Sequence, residues 1–427
     1  MMRIEPGLIG GVVAAPPSKS CTHRAYLLAS QAERSAHVLH PLIAEDTDAT
    51  LRGLRALGAN GTTEANLVRF EPAPLTIPSA PLFCGNSGTT LRLLAGQAAR
   101  LATPIQLTGD ASLSRRTNGP LLAALAERGV RTASENGRAP LTVQGPLQPG
   151  AARLPASVSS QFASSLLLAL PFASGPSFVE LAAPVDSAPY LDLTHRMARQ
   201  QGLRIEREAT APGLRFVVEP SRPRGGTIVV EGDWSAAAFL FAAGALTGTT
   251  VEVTGLDPTS AQPDRAILDY LRAFGCPTDA RSVRPNGPLQ SPGTMDVRAS
   301  PDLFPILAVL AAFANGTTRL VGGTQLRNKE SDRIQAMASG LHALGIRSHV
   351  EPDGLTVLGG KPQGAHLESQ GDHRIHMALA VAALAARGAS SVEGDTTVAV
   401  SFPRFHHTLV RLGARIFKDG RRMEASP

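Results

Sequence analysis

Seven cations in this chain stand where small anions could be captured. Lys19, Arg24, Arg92, Arg116, Lys329, Arg333 and Arg374 lie in or beside short polar clusters or conspicuous loops. The clusters are Ser18-Lys19-Ser20, Gly85-Asn86-Ser87-Gly88-Thr89, Ser159-Ser160-Gln161, Asp233-Trp234-Ser235, Pro301-Asp302 and Gly371-Asp372-His373-Arg374, and each runs directly into an Ala/Leu-rich stretch. Such a cluster reads as a helix N-terminus, where unpaired backbone N–H groups and the helix dipole favour negative charge. A net charge of +6 and a pI near 9.7 agree with anionic ligands. Nucleic acid is a poor fit, because aromatic residues make up only 4% of the chain, Arg is spread rather than clustered, and there is no Gly-rich loop ending in Lys-Ser/Thr.

The elements that must position these residues recur. The openings return about every seventy residues, and a second mark keeps the same register: an amphipathic stretch stopped by Gly58, Gly129, Gly202, Gly275, Gly345 and Gly413, at steps of 71, 73, 73, 70 and 68. Glycine just past the last periodic residue is a helix C-cap, since it enters the left-handed region without steric cost. The pattern predicts six repeats of two helices joined by strands. Phe162 to Phe172 and Phe304 to Phe313 are apolar all round and should be buried, whereas Ile334 to Leu344 alternates at helical spacing and should lie at the surface. The fold class is therefore α/β, with helices enclosed by sheets of mixed parallel and antiparallel strands.

At 427 residues the chain exceeds a single core, and six repeats divide as three plus three. The last repeat, from Gly371, has 57 residues, and the 17 before Ser18 read as strand, together one repeat. We therefore expect residues 1–17 and 232–427 to form one domain and 18–231 the other, with a hinged cleft between them holding the site. No run of eighteen uncharged apolar residues and no basic-then-apolar leader is seen, so no membrane association and a cytoplasmic location are expected. Cys21, Cys84 and Cys276 have no metal or disulfide spacing and read as packing residues.

Five segments, taken in order, resemble the 5-enolpyruvylshikimate-3-phosphate synthase family: Pro17-Ser18-Lys19-Ser20-Cys21-Thr22-His23-Arg24, Gly85-Asn86-Ser87-Gly88-Thr89-Thr90-Leu91-Arg92, Val158-Ser159-Ser160-Gln161-Phe162, Lys329-Glu330-Ser331-Asp332-Arg333 and Gly371-Asp372-His373-Arg374. The resemblance spans essentially the whole chain. It implies a two-domain inside-out α/β barrel. The implied activity is carboxyvinyl transfer from phosphoenolpyruvate to the 5-hydroxyl of shikimate 3-phosphate, with release of phosphate, in aromatic amino acid biosynthesis. No metal or organic cofactor is implied, and a monomer is expected.

Carried over residue by residue, the resemblance assigns Lys19, Gly88, Arg116, Gln161, Arg333 and Arg374 to phosphoenolpyruvate. It assigns Lys19, Ser20, Arg24, Ser159, Ser160, Gln161, Ser187, Asp302, Gln325 and Lys329 to shikimate 3-phosphate, with Ser159, Ser160, Ser187 and Lys329 facing its phosphate. Glu330 is the implied proton donor to the methylene carbon, Asp302 the base for the attacking hydroxyl, and Lys19 a participant in proton transfer and charge stabilisation. Domain closure would bring the two residue sets together.

The chain departs from the family pattern at Val400, where many members carry Lys two residues ahead of a Phe-Pro pair, here Phe402-Pro403. Arg404 is a possible substitute cation. Gln325 and Thr117 replace a frequent Asn and Pro. Tolerance of glyphosate often accompanies Ala at the position of Gly88, so sensitivity is expected. The missing Lys keeps one alternative open, a catalytically impaired relative that binds shikimate 3-phosphate. The sister transfer to a UDP-amino sugar is disfavoured, because the loop Ser112 to Asn118 lacks a cysteine.

Overall fold

All six glycine stops take up the left-handed conformation, with φ of 96° at Gly58, 75° at Gly129, 88° at Gly202, 81° at Gly275, 77° at Gly345 and 106° at Gly413. Each closes its helix with the same pair of bonds. At the first, Gly58 N–H donates to Arg55 O and Ala59 N–H to Leu54 O, both at 2.9 Å, and at the last Gly413 and Ala414 repeat the arrangement on Val410 and Leu409. The structure, a computed structural model, describes residues 1–156, 158–210 and 213–425.

The chain folds as two compact units, one of Met1–Pro16 with Gly232–Pro427 and one of Pro17–Glu231. We call them the terminal and the inserted unit. Six helices of the inserted unit are α1 (Lys19–Ala29), α2 (Glu45–Ala56), α3 (Gly88–Ala98), α4 (Gly119–Ala126), α5 (Ser160–Ala169) and α6 (Ala188–Gln200). Those of the terminal unit are α7 (Trp234–Thr247), α8 (Ile267–Ala273), α9 (Phe304–Phe313), α10 (Arg333–Ala343), α11 (His373–Ala385) and α12 (Phe405–Arg411). Among the described residues each unit also carries three sheets.

Helices α7, α9 and α11 have no solvent face: twelve of fourteen, nine of ten and twelve of thirteen residues are buried. They pack on one another and each on a sheet. Their partners α8, α10 and α12 bury only one side, Ile267, Leu268 and Leu271 in the case of α8. The inserted unit repeats the plan, with α3 and α5 in close contact and α6 burying only Leu191, Leu193, Thr194 and Ala198. The apolar run read as one helix from Phe162 to Phe172 divides instead. Its α-helix ends at Ala169 and a 3₁₀ turn covers Leu170–Phe172, because Pro171 has no N–H to continue the ladder.

Four-stranded sheets mix the two pairings, as in Gly150–Leu154 parallel to Ser177–Ala182, which is antiparallel to Gly213–Val218, itself antiparallel to Ile205–Thr210. The strand Met2–Glu5 lies antiparallel between Ser390–Val392 and Arg415–Lys418, and Gly11–Ala14 pairs in parallel with Val251–Thr254. Among the described residues no helix is long and apolar enough to cross a membrane.

Behind α11 the terminal unit buries two facing imidazoles, with His376 Nε2 2.8 Å from His406 Nε2. His376 Nδ1 lies 2.7 Å from Glu393 O, which can only accept, so Nδ1 carries the proton and His376 Nε2 accepts from His406. Burial lowers the basicity of both rings, and the neighbouring His376 takes His406 down further, to about 3, against the opposing pull of Asp395. A group whose folded pKa is depressed gives stability that is present above its unfolded value, near 6.5, and lost as pH falls toward the folded one. We predict that the unit loses stability between about pH 6.5 and pH 3, and that His406→Phe flattens this slope in urea titrations at stepped pH.

Candidate functional site

The polar openings do become helix N-termini in five of six cases. Ser18, Ser87, Ser159, Asp233 and Asp372 cap α1, α3, α5, α7 and α11, each accepting a backbone N–H through its side chain. The sixth differs. A 3₁₀ turn, Pro301–Leu303, precedes α9 and Ser300 makes no side-chain cap bond, so Asp302 is not a capping residue. Its carboxylate turns to the surrounding cations instead.

In the inserted unit, Lys19 is the first residue of α1 and pairs with Asp46 of α2 at 3.0 Å. Arg24, one turn further along, is 3% exposed. It donates to Thr194 Oγ1 at 2.8 Å, Ser20 O at 2.9 Å, Tyr190 O at 3.3 Å and Ser164 Oγ at 3.4 Å, and among the described residues no carboxylate pairs with it. Burial lowers its affinity for a proton. A guanidinium held by neutral groups alone is a standing attraction for an anion.

Gly88 opens α3 beside two more cations. Arg92 donates to Asn118 Oδ1 at 3.0 Å and to Gln161 Oε1 at 2.5 Å, while Gln161 Nε2 donates to Thr89 Oγ1 at 2.8 Å. Arg116, 6% exposed, bonds Asn86 Oδ1 and Ser112 Oγ. Ser159 caps α5 through Gln161 N–H, Ser160 is buried behind it, and Ser187 enters α6 in the left-handed conformation at φ 54°. Underneath, His23, Thr50, Thr90 and Ser87 form a buried chain of hydrogen bonds that ties the starts of α1, α2 and α3 together.

In the terminal unit the centre is Arg333, 1% exposed at the start of α10. Its Nε donates to Asp372 Oδ2 at 2.8 Å, Nη1 to Asp302 Oδ1 at 2.9 Å, and Nη2 to Glu330 Oε2 at 2.7 Å and Asp372 Oδ1 at 3.3 Å. Burial works against its charge, but the three carboxylates, Asp372 foremost, outweigh burial and hold it firmly protonated. Four of the five guanidinium hydrogens are thus engaged. Arg333 fixes Asp302 and Glu330 on one planar fork.

Arg374 Nη2 reaches Asp302 Oδ2 at 3.0 Å and Lys329 Nζ stands 3.7 Å from Asp302 Oδ1. Burial alone would push the Asp302 carboxyl up; Arg374, Lys329 and Arg333 together hold it well below the usual carboxylate range. Burial lowers the Lys329 ammonium, with Asp302 opposing. Gln325 lies in the 3₁₀ turn Thr324–Asn328 just ahead of Lys329.

A family model described as EPSP synthase (3-phosphoshikimate 1-carboxyvinyltransferase) matches residues 5–409. The chain belongs to the EPSP synthase family. It is 41% identical over 412 residues to the 3-phosphoshikimate 1-carboxyvinyltransferase of Methanocorpusculum labreanum, covering 95% of this chain and 97% of that one. To the protein of the same name from Aeropyrum pernix it is 41% identical over 418 residues, covering 97% and 96%. The crystal structure of EPSP synthase from Acinetobacter baumannii superposes with a TM-score of 0.79 at 30% identity, over 98% of this chain and 99% of that one.

Against the family pattern, Val400 ends a 3₁₀ turn, Asp395–Val400, and the nearby Arg404 is exposed ahead of α12. Cys84 and Cys276 are buried thiols whose pKa burial pushes up to about 12 and about 11, and Cys21 is buried as well, all as packing residues would be. Asp46, Thr194 and Asn118 were not assigned a role by motif or spacing, although each holds one of the cations. They come from positions 26 to 170 residues away from the cations they hold, and only the folded helices bring them near.

Proposed function

We propose that this protein transfers the carboxyvinyl group of phosphoenolpyruvate to the 5-hydroxyl of shikimate 3-phosphate, yielding 5-enolpyruvylshikimate 3-phosphate and phosphate, as a cytoplasmic step of aromatic amino acid biosynthesis. The observation that carries the reading is the Arg333 fork, which holds two carboxylates in different surroundings: Asp302 ionised among three cations, and Glu330 set on the Nη2 end of Arg333. Transfer needs such a pair, an acid to protonate the methylene carbon and a base to take the hydroxyl proton.

In this scheme Ser20, Arg24, Ser159, Ser160, Gln161, Ser187, Gln325 and Lys329 take up shikimate 3-phosphate. The buried Arg24, whose partners are all neutral, supports a role with an anionic ligand. Lys19, Gly88, Arg116, Gln161, Arg333 and Arg374 take up phosphoenolpyruvate, with guanidinium forks suited to its carboxylate. Substrate anions that share Lys329 and Arg374 draw those charges from Asp302 and raise its basicity. Asp302 then accepts the 5-hydroxyl proton as the oxygen attacks C2 of phosphoenolpyruvate and Glu330 protonates C3. The tetrahedral adduct loses phosphate and a C3 proton, with Lys19 stabilising charge, to give the enol ether.

The deciding experiment is phosphate release by the purified protein with each substrate alone and with both. Release that requires both supports the synthase. No release, with shikimate 3-phosphate still binding by calorimetry, would replace it with a binding-only relative and point to Val400.

Gly88 gives a second test. A Cβ built there meets Arg116 Nη1 at 3.3 Å and Arg92 Nη1 at 3.4 Å, so both guanidinium tips must give by a few tenths of an ångström. Gly88→Ala is expected to raise KM for phosphoenolpyruvate by about 3–10-fold, the worth of one loosened charge-assisted hydrogen bond. KM for shikimate 3-phosphate should stay within about twofold, and inhibition by glyphosate should weaken in parallel.

A further inference from the structure

The opening Asp233-Trp234-Ser235 is the one polar cluster that the proposed chemistry leaves unused, yet it reaches into the carboxylate and cation cluster of the terminal unit. Arg374 Nη1 donates to Ser235 Oγ at 2.8 Å. That oxygen has a single proton, and it is turned the other way, onto Asp264 Oδ2. Asp264 is 2% exposed and comes from the 3₁₀ turn Pro263–Ala266 that leads into α8, at some distance along the chain from every motif residue. On its far side Arg374 is held by Asp302 through Nη2 at 3.0 Å.

We propose that Asp264 is a positioning residue for phosphoenolpyruvate, orienting the Ser235 hydroxyl so that Ser235 presents its lone pairs to Arg374 and fixes the plane of that guanidinium. The inference rests on the functional reading above and adds to it a residue that does not itself touch substrate. The buried carboxyl must serve as an acceptor from Ser235 without competing with the substrate anion for Arg374, which requires it to be neutral. Burial first, then the charges of Asp302 and Asp233, push its pKa up to about 7 against the pull of Arg374 and the Ser235 hydrogen bond. Tyr270 of α8 is a further titratable neighbour, a phenol whose own pKa burial raises. Below about pH 7 Asp264 is neutral and Arg374 keeps its full charge for the ligand; above it, a second buried anion shares that charge. Affinity for phosphoenolpyruvate should therefore fall as pH rises through 7.

The test is steady-state kinetics of the full chain with both substrates, for wild type, Asp264→Ala, Ser235→Ala, the double variant and Asp264→Asn. Asp264→Ala and Ser235→Ala are each expected to raise KM for phosphoenolpyruvate about tenfold, with KM for shikimate 3-phosphate within about twofold, and the double variant should be no worse than either. Asp264→Asn keeps the acceptor oxygen and cannot ionise, so its KM should stay within about threefold of wild type and lose the rise across pH 7. An unchanged KM in both Ala variants, additive effects in the double variant, or an Asn variant that keeps the wild-type pH profile would overturn the proposal. If Asp264→Ala does not fold, Ser235→Ala and the Asn pH profile decide it. A wild type without turnover would instead refute the functional reading, and calorimetric titration of phosphoenolpyruvate into the same variants would then decide the positioning role.

Discussion

Glu330→Gln is expected to lower kcat by about 10³-fold while leaving KM for either substrate within about threefold. The amide has nearly the same size and can still accept from Arg333, so the fork that holds Asp302 persists. On the proposed mechanism what disappears is the proton for the methylene carbon, and general acid catalysis is worth typically 10²–10⁴-fold. Asp302→Asn makes an informative contrast. Asp302 touches Arg333, Lys329 and Arg374, so its neutralisation should change KM as well as kcat. Rapid-quench measurement of a single turnover separates chemistry from release. A Glu330→Gln enzyme with normal single-turnover rate would remove Glu330 from the role of acid.

Asp372→Ala should have the largest effect on stability, about 3–5 kcal/mol, because it leaves the buried Arg333 with one carboxylate fewer and removes the cap of α11. Asp372 is fully buried and bonds Arg333 at two points as well as Arg374 N–H, so one side chain joins α10 to α11. Asp372→Asn retains the cap acceptor and loses the charge, and should fall between wild type and Ala. The chain has a single tryptophan, and Trp234 is fully buried in α7, so its fluorescence in urea reports on the terminal unit alone. Equal midpoints for wild type and Asp372→Ala would show that the ion pair adds nothing beyond its own desolvation.

The architecture was legible where local chemistry is periodic. Glycine stops, apolar helices without a polar face and Ser or Asp openings are short-range signals, and the structure places α9 on the residues the pattern marked and turns each stop glycine left-handed. The division of α5 from its 3₁₀ turn could have been read from Pro171, whose missing N–H marks the break. The cationic residues were legible because their types and their helix starts suit anions. Their partners were not. Nothing in the spelling of Pro301-Asp302 says that a 3₁₀ turn will free the carboxylate from capping, nor that Arg333 will grip it together with Glu330 and Asp372. Those contacts depend on which helix starts converge, and that is decided by packing of α9, α10 and α11 in three dimensions.

The strand Met2–Glu5 sits inside its sheet with neighbours nearly four hundred residues away along the chain. During translation, at about 5–20 residues per second, it must wait roughly 20–80 s for Ser390–Val392 and Arg415–Lys418 to be made. The inserted unit, contiguous from Pro17 to Glu231, waits about half as long, until Gly226–Val229 is made to pair with Ala36–Leu39. For that interval the strand exposes Met2 and Ile4, two side chains that end up buried, together with two unpaired hydrogen-bonding edges. Its brevity, and the charges of Arg3 and Glu5 on its other face, limit what it can pair with in the meantime.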